Sequence, residues 1–249
     1  MSSSNLIILL VSLGLEAWLL ALLFRRRVRK HFPFFFFYIL IIVPVTVARL
    51  VTTDHYYAYF FTYWWSTVVL MVLGLAALNE VFRWVYEDFY RLRWFQFLYY
   101  GATVLVLLVT VRNAIVNPPV QAHPIISLIL DMEITVHFVQ VAIVALFSAL
   151  LKPLFVPFRR YPFGIAAGFG ASSTGALIGY FALSVFGTKV QTFTQYASAV
   201  AYIFALVLWI MAFFRQEPEE KAWIPPMPPD EMLRIARGYM KVLRPGRKD

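Results

Sequence analysis

The sequence predicts an all-α integral membrane protein: a bundle of seven transmembrane helices with the N-terminus outside and the C-terminus cytoplasmic. Three observations predict it. Of the 249 residues, 61% are hydrophobic and only 14% charged, and the mean hydropathy is +0.71, more apolar character than a soluble core can hide. The apolar residues fall into runs of about 20, the length a helix needs to cross a hydrocarbon layer about 30 Å thick. The basic residues gather in alternate loops.

The first span, 5–24, follows the uncharged Met1-Ser2-Ser3-Ser4 and precedes Arg25-Arg26-Arg27-Val28-Arg29-Lys30. A cleavable signal peptide has charge before its apolar run and a small-residue cleavage site after it. This segment is therefore expected to stay, entering the membrane from outside. The remaining spans are expected at 33–51, 60–82, 95–111, 124–151, 162–186 and 191–214. With this assignment the cytoplasmic segments hold five Lys/Arg after the first span, three after the third (Arg83, Arg91, Arg93), three after the fifth (Lys152, Arg159, Arg160) and eight in the tail. That is 19 of the 22, leaving Arg49, Arg112 and Lys189 toward the outside, as the positive-inside rule requires. The aromatic run from Tyr56 to Trp65 marks the outer interface, and Trp84, Trp94 and Tyr99 the inner one.

Three segments are expected: a membrane domain over 1–215, a proline-rich linker over 216–229 and a basic amphipathic tail over 230–249. The linker contains Ile224-Pro225-Pro226-Met227-Pro228-Pro229, an extended pattern. In the tail, Met232, Leu233, Ala236, Tyr239, Met240 and Leu243 share one helical face, opposite Arg234, Arg237, Lys241 and Arg244. That arrangement suits an anionic lipid surface or a partner protein.

Charges that lipid cannot solvate carry the functional information, because each costs about 2.5–3.5 kcal/mol at mid-helix on insertion scales. Glu16, Arg49, Asp131, Glu133 and His137 qualify. At 1.5 Å per residue, Glu16 lies roughly 16 Å below residue 5, and Glu133 and His137 roughly 14 and 20 Å below Pro124. Glu133, His137 and Gln140 are spaced i, i+4, i+7 and share one helix face. Glu16, Glu133, His137 and Gln140 are thus the candidate ligand or proton site, with Glu16 expected to complete the cluster. A packing network is the alternative role. Asp131 and Arg49, both toward the outer side, are expected to form a structural ion pair. Glu80, at the inner interface, is expected to pair with Arg83 one turn on. The span 162–186 holds Gly164, Gly168, Gly170, Gly175 and Gly179 among small neighbours, which suits close helix packing or a wall thinned for a ligand.

The absence of Cys excludes disulfides, thiolate metal sites and cysteine nucleophiles. The four His are scattered, and Glu133-x-x-x-His137 is not the repeated Glu-x-x-His of a di-metal bundle. No metal is expected, and no cofactor is named by any motif. No phosphate-binding glycine loop, zinc-protease helix or nucleophile elbow occurs, so an enzyme is not indicated. The net charge of +9 flanks apolar spans, which points to lipid and away from nucleic acid.

In outline the layout resembles rhodopsins and G-protein-coupled receptors, but the last span has no Lys for a retinal Schiff base, and Asp-Arg-Tyr and Asn-Pro-x-x-Tyr are missing. The basic loop before Pro33-Phe34-Phe35-Phe36-Phe37-Tyr38 and the exit Asn79-Glu80-Val81-Phe82-Arg83 are the carriers of a different likeness. On them the chain resembles uncharacterised bacterial seven-helix membrane proteins and the membrane sensor modules that bacteria fuse to output domains. The resemblance implies a multi-pass protein of the bacterial inner membrane that binds an apolar or amphiphilic small molecule and signals to a partner. Because this chain carries a short amphipathic helix where such sensors carry an output domain, the signal is expected to pass to another protein. Two other functions are open: an accessory subunit of a larger membrane assembly with 162–186 as its contact face, and a proton-coupled carrier or channel, which an odd helix count disfavours.

Overall fold

The computed structural model describes residues 3–86, 124–151 and 159–215, with isolated positions at 101, 104, 108, 112, 231 and 234. Two compact units divide the chain, Met1–Glu217 and Pro218–Asp249. In the second, Glu231 and Arg234 are helical, exposed and paired one turn apart at 3.8 Å. The rest of the expected linker and tail lies outside the described residues.

The first unit is built from α1 (Ser3–Arg25), α2 (Pro33–Val51), α3 (Tyr56–Val85), α4 (Pro124–Leu151), α5 (Arg160–Phe186) and α6 (Gln191–Phe214). Short 3-10 turns, Val28–Lys30 and Gly187–Val190, join α1 to α2 and α5 to α6. Among the described residues six helices, not seven, are long and apolar enough to cross a membrane, and the expected count is corrected accordingly. The expected span 95–111 lies outside the described residues, save for the isolated helical positions 101, 104 and 108. It is the shortest of the expected spans, at about the minimum length for crossing. Only 22–33% of the residues of each span are buried inside the protein. The outward faces carry large apolar side chains such as Trp18, Val72, Phe138, Phe181 and Phe204, so their solvent is lipid.

Contacts set the helix directions. Phe24 meets Phe36 and Thr46 meets Glu16, so α1 and α2 are antiparallel. Glu80 reaches Phe34 and Arg49 reaches Ser66, so α2 and α3 are antiparallel too. Gly74 abuts Gln140, and Tyr86 donates to the Phe147 carbonyl at 2.6 Å, which makes α3 and α4 parallel. The pairs Phe147/Phe163 and Gly164/Ala212 make α5 antiparallel to both α4 and α6. Consequently Arg25, Pro33, Val85, Leu151, Arg160 and Phe214 end at one side of the bundle, with the Arg25–Lys30 cluster, Arg83, Arg159, Arg160 and Arg215. We call this the basic end.

The tight core sits in the basic half. Phe35 contacts Phe169, Trp209 and Phe213 at ring separations of 6.2, 5.4 and 5.7 Å, and all four rings are fully buried. Phe82, Tyr86, Phe147 and Phe163 form a second chain of rings. Burial pushes the Tyr86 phenol up to about 12, so its hydroxyl remains a donor to Phe147 throughout the physiological range. Backbone ends are tied here as well. Arg26 donates to the carbonyls of Phe213 and Phe214 at 3.3 and 2.7 Å, satisfying acceptors that the end of α6 leaves open.

Glu80 serves the start of α2. Its Oε2 accepts from the backbone N–H of Phe34 and Phe35 at 3.0 and 3.3 Å, so α3 caps the first turn of α2, where a negative charge also complements the helix dipole. Replacing it leaves two N–H groups without this partner. Glu80→Ala should lower stability by about 1–2 kcal/mol, read as a fall in the thermal midpoint of the detergent-solubilised protein. An unchanged midpoint would rule out the cap.

Candidate functional site

The polar residues lie from mid-bundle toward the end away from the basic one, and they form two groups. The first is centred on Glu16, near the middle of α1 and only 1% exposed. Its Oε1 accepts from Tyr202 of α6 at 2.8 Å and from Thr46 of α2 at 3.3 Å. Its Oε2 is buried with no hydrogen-bond partner. α1 is apolar on nearly all sides, so sequence periodicity did not reveal which face turns inward. Tyr202 and Thr46 are the partners that sequence reasoning missed. Tyr202 lies 11 residues into α6, roughly 16 Å deep, the same depth as Glu16, and that match was the available signal.

A cavity of about 330 Å³ opens beside Glu16 between α1, α2 and α6, lined also by Ser12, Thr46, Arg49, Gln195, Tyr196, Ala199 and Tyr202. The volume falls at the lower bound of small-molecule sites, about 300–1,000 Å³. Pro44 within α2 removes one backbone hydrogen bond just before Thr46, a break that membrane helices accept where neighbours compensate.

Arg49 is held by α3. Its Nη2 donates to Ser66 Oγ at 2.7 Å, Thr67 Oγ1 at 3.1 Å and the Tyr63 carbonyl at 3.4 Å, and its Nε to Ser66 Oγ at 3.2 Å. The guanidinium also lies 4.6 Å from the centre of the Tyr63 ring, a cation–π contact. Hydroxyls take the place of Asp131: no ion pair between Arg49 and Asp131 occurs among the described residues. Asp131 lies near the start of α4, half-buried. Arg49 instead stands where its charge acts on both Glu16 and Glu133.

The second group joins α4 to α5. Glu133 and His137 face each other at 4.0 Å between Oε1 and Nε2. His137 Nδ1 lies 3.2 Å from Ser173 Oγ, which donates to Gln140 Oε1 at 2.5 Å. Because the Ser173 proton goes to Gln140, His137 is the donor at Nδ1, and its Nε2 faces the Glu133 carboxylate. Tyr180 lies within hydrogen-bonding reach of Glu133, while Glu133 Oε2 is buried without a partner. Glu133, His137 and Gln140 therefore come together as expected from their spacing, with Ser173 and Tyr180 as the additional members. Glu16 does not join them. It is expected at their depth but turns toward α2 and α6.

Chemically, the second group can hold one proton between Glu133 and His137. The first offers oxygen acceptors and a cation to a polar ligand. No group of three or more His, Cys, Asp or Glu placed to hold a metal occurs among the described residues.

The small residues of α5 serve packing. A side chain on Gly164, Gly168 or Gly175 would strike Ala212, Trp209 or Ala201 of α6. The spacing thus encodes the close α5–α6 approach, and this stripe is filled by the chain itself.

Comparison with protein families, with curated proteins and with solved structures finds no match. The likeness to bacterial seven-helix proteins and seven-helix sensor modules is therefore withdrawn: no family model supports it, and the described residues form six long apolar helices.

Proposed function

We propose that this multi-pass membrane protein is a receptor-like sensor module that binds an amphiphilic small molecule in the cavity between α1, α2 and α6. The supporting observation is Glu16: a buried carboxylate with one oxygen unpartnered, beside a cavity of about 330 Å³. An unpaired polar group in a bilayer is costly enough to mark a functional site by default, and a ligand group would meet it. The cavity's walls α2 and α6 run into the tightly tied basic end through Glu80 and Arg26. A ligand that shifts α2 against α6 is thereby felt where a partner protein or anionic lipid would meet the basic residues. By the positive-inside rule the basic end faces the cytoplasm, and a bacterial inner membrane is the proposed location. Glu133, His137 and Gln140 are assigned a shared proton on the neighbouring helix pair.

The test uses the full chain in dodecyl maltoside, with lysophosphatidylethanolamine, lysophosphatidylglycerol or monoacylglycerol added below their micellar concentrations. A ligand at about 100 times its Kd stabilises by about 2.7 kcal/mol, so at least one probe should raise the midpoint followed by tryptophan fluorescence. Ala199→Phe, which fills the cavity, should abolish that rise. If no probe moves the midpoint, or if Ala199→Phe responds like the parent, the cavity is not the binding site.

A further inference from the structure

We infer that the cavity recognises a zwitterion carrying a primary ammonium and an anionic group, either as the headgroup of an aminophospholipid or as a free solute. This deepens the cavity reading above and rests on it. Three oxygens with acceptor capacity belong to residues that line the same space. Glu16 Oε2 has no partner. Ser12 gives its proton to the Leu9 carbonyl at 2.9 Å, so its oxygen keeps its lone pairs. Thr46 gives its proton to Glu16, with the same result. All three residues line the cavity. Three acceptors, one of them a carboxyl oxygen, match the three N–H donors of a primary ammonium. A trimethylammonium has no N–H to offer them.

The anionic partner follows from Arg49, which lines the cavity one turn along α2 from Thr46. Its Nε and Nη2 are committed to α3, and its Nη1 makes no hydrogen bond among the described residues. Three residues of helix rise amount to about 4.5 Å, a separation that suits an ammonium and a phosphate or carboxylate within one small group. Of the remaining lining, Ile8, Leu9, Ala199 and Ile203 suit a short apolar portion. A divalent cation fits less well, since Glu16 is the sole carboxylate of the lining and hard cations take six or more oxygens.

The experiment compares lysophosphatidylethanolamine, lysophosphatidylcholine, monoacylglycerol and free phosphoethanolamine on the full chain, with affinities from thermal-shift titration and native mass spectrometry. Lysophosphatidylethanolamine should bind about tenfold or more tightly than lysophosphatidylcholine, as expected for losing charge-assisted hydrogen bonds. Glu16→Gln and Thr46→Val should each shrink that preference, and Thr46→Val, which keeps the shape of the side chain, serves if Glu16→Gln fails to fold. Free phosphoethanolamine binding as tightly as the lysolipid identifies a solute, and weaker binding identifies a lipid headgroup; both support the inference. Equal binding of the two lysophospholipids, or a preference that survives both variants, overturns it. Binding of monoacylglycerol alone overturns the zwitterion while leaving the cavity reading intact, and binding of no probe removes both.

Discussion

Gly168→Ala should largely unfold the protein, although it adds a single methyl group to a helix. A Cβ at this position would overlap Trp209 Nε1 and Cε2, so the indole must leave its place. Trp209 has nowhere to go: it is fully buried against Phe35, Tyr38 and Phe169. Its N–H donates to the Ile165 carbonyl at 3.1 Å, and displacement strands that donor in an apolar interior. Overpacking costs about 1–3 kcal/mol and an unmet buried donor about 1–3 kcal/mol more, together a large part of a total stability of about 5–15 kcal/mol. Gly14→Ala is the matched control, since nothing lies within 4 Å of a Cβ there and alanine is the better helix former by about 1 kcal/mol. Thermal midpoints in detergent, with size-exclusion profiles, should show Gly168→Ala depleted or aggregated and Gly14→Ala unchanged or improved. Equal behaviour of the two would show that the α5–α6 interface tolerates separation.

The same interface shows what was legible in the sequence. The spacing of Gly164, Gly168, Gly175 and Gly179 announced a close helix contact, but not whether its partner was another helix of this chain, a ligand or a second protein. Helix limits were read well wherever a proline or an apolar boundary marks them: Pro33–Val51, Pro124–Leu151 and Gln191–Phe214 match the expected spans. α3 begins earlier, at Tyr56 rather than residue 60, because interfacial aromatics look alike in a loop and in a first helical turn. The count of seven took every long apolar run as a span; among the described residues six long apolar helices occur, and 95–111 lies outside them.

Depth was legible and rotation was not. Rise per residue put Glu16, Glu133 and His137 at one level, and spacing put Glu133, His137 and Gln140 on one face; the structure does bring those last three together. A helix that is apolar all round gives no sign of its inward face, so the direction of Glu16 toward Tyr202 was invisible. Arg49 was misjudged for a related reason. Opposite charges at similar depth suggested a pair with Asp131, whereas three hydroxyl and carbonyl oxygens on α3 answer the guanidinium fork more completely.

That arrangement makes Arg49→Leu the most damaging single change expected at the polar site. The hydroxyls of Ser66 and Thr67 already give their protons to the Tyr63 carbonyl, so their remaining lone pairs depend on Arg49. Its removal strips those acceptors, ends the contact with the Tyr63 ring and takes away the positive charge that acts on both Glu16 and Glu133. Breaking a buried charge arrangement by removing one partner costs about 3–5 kcal/mol. Arg49→Lys should recover only part of this, since an ammonium cannot reproduce the fork that spans Ser66 and Thr67. A double-mutant cycle separates the two losses. If Arg49 stabilises Glu16 electrostatically, Arg49→Leu with Glu16→Gln should be less destabilised than the sum of the single changes, with a coupling of about 0.5–3 kcal/mol, and the cycle with Glu133→Gln should show the same sign. Strict additivity in both cycles would mean that Arg49 serves only to hold α2 against α3, and that neither carboxylate depends on its charge.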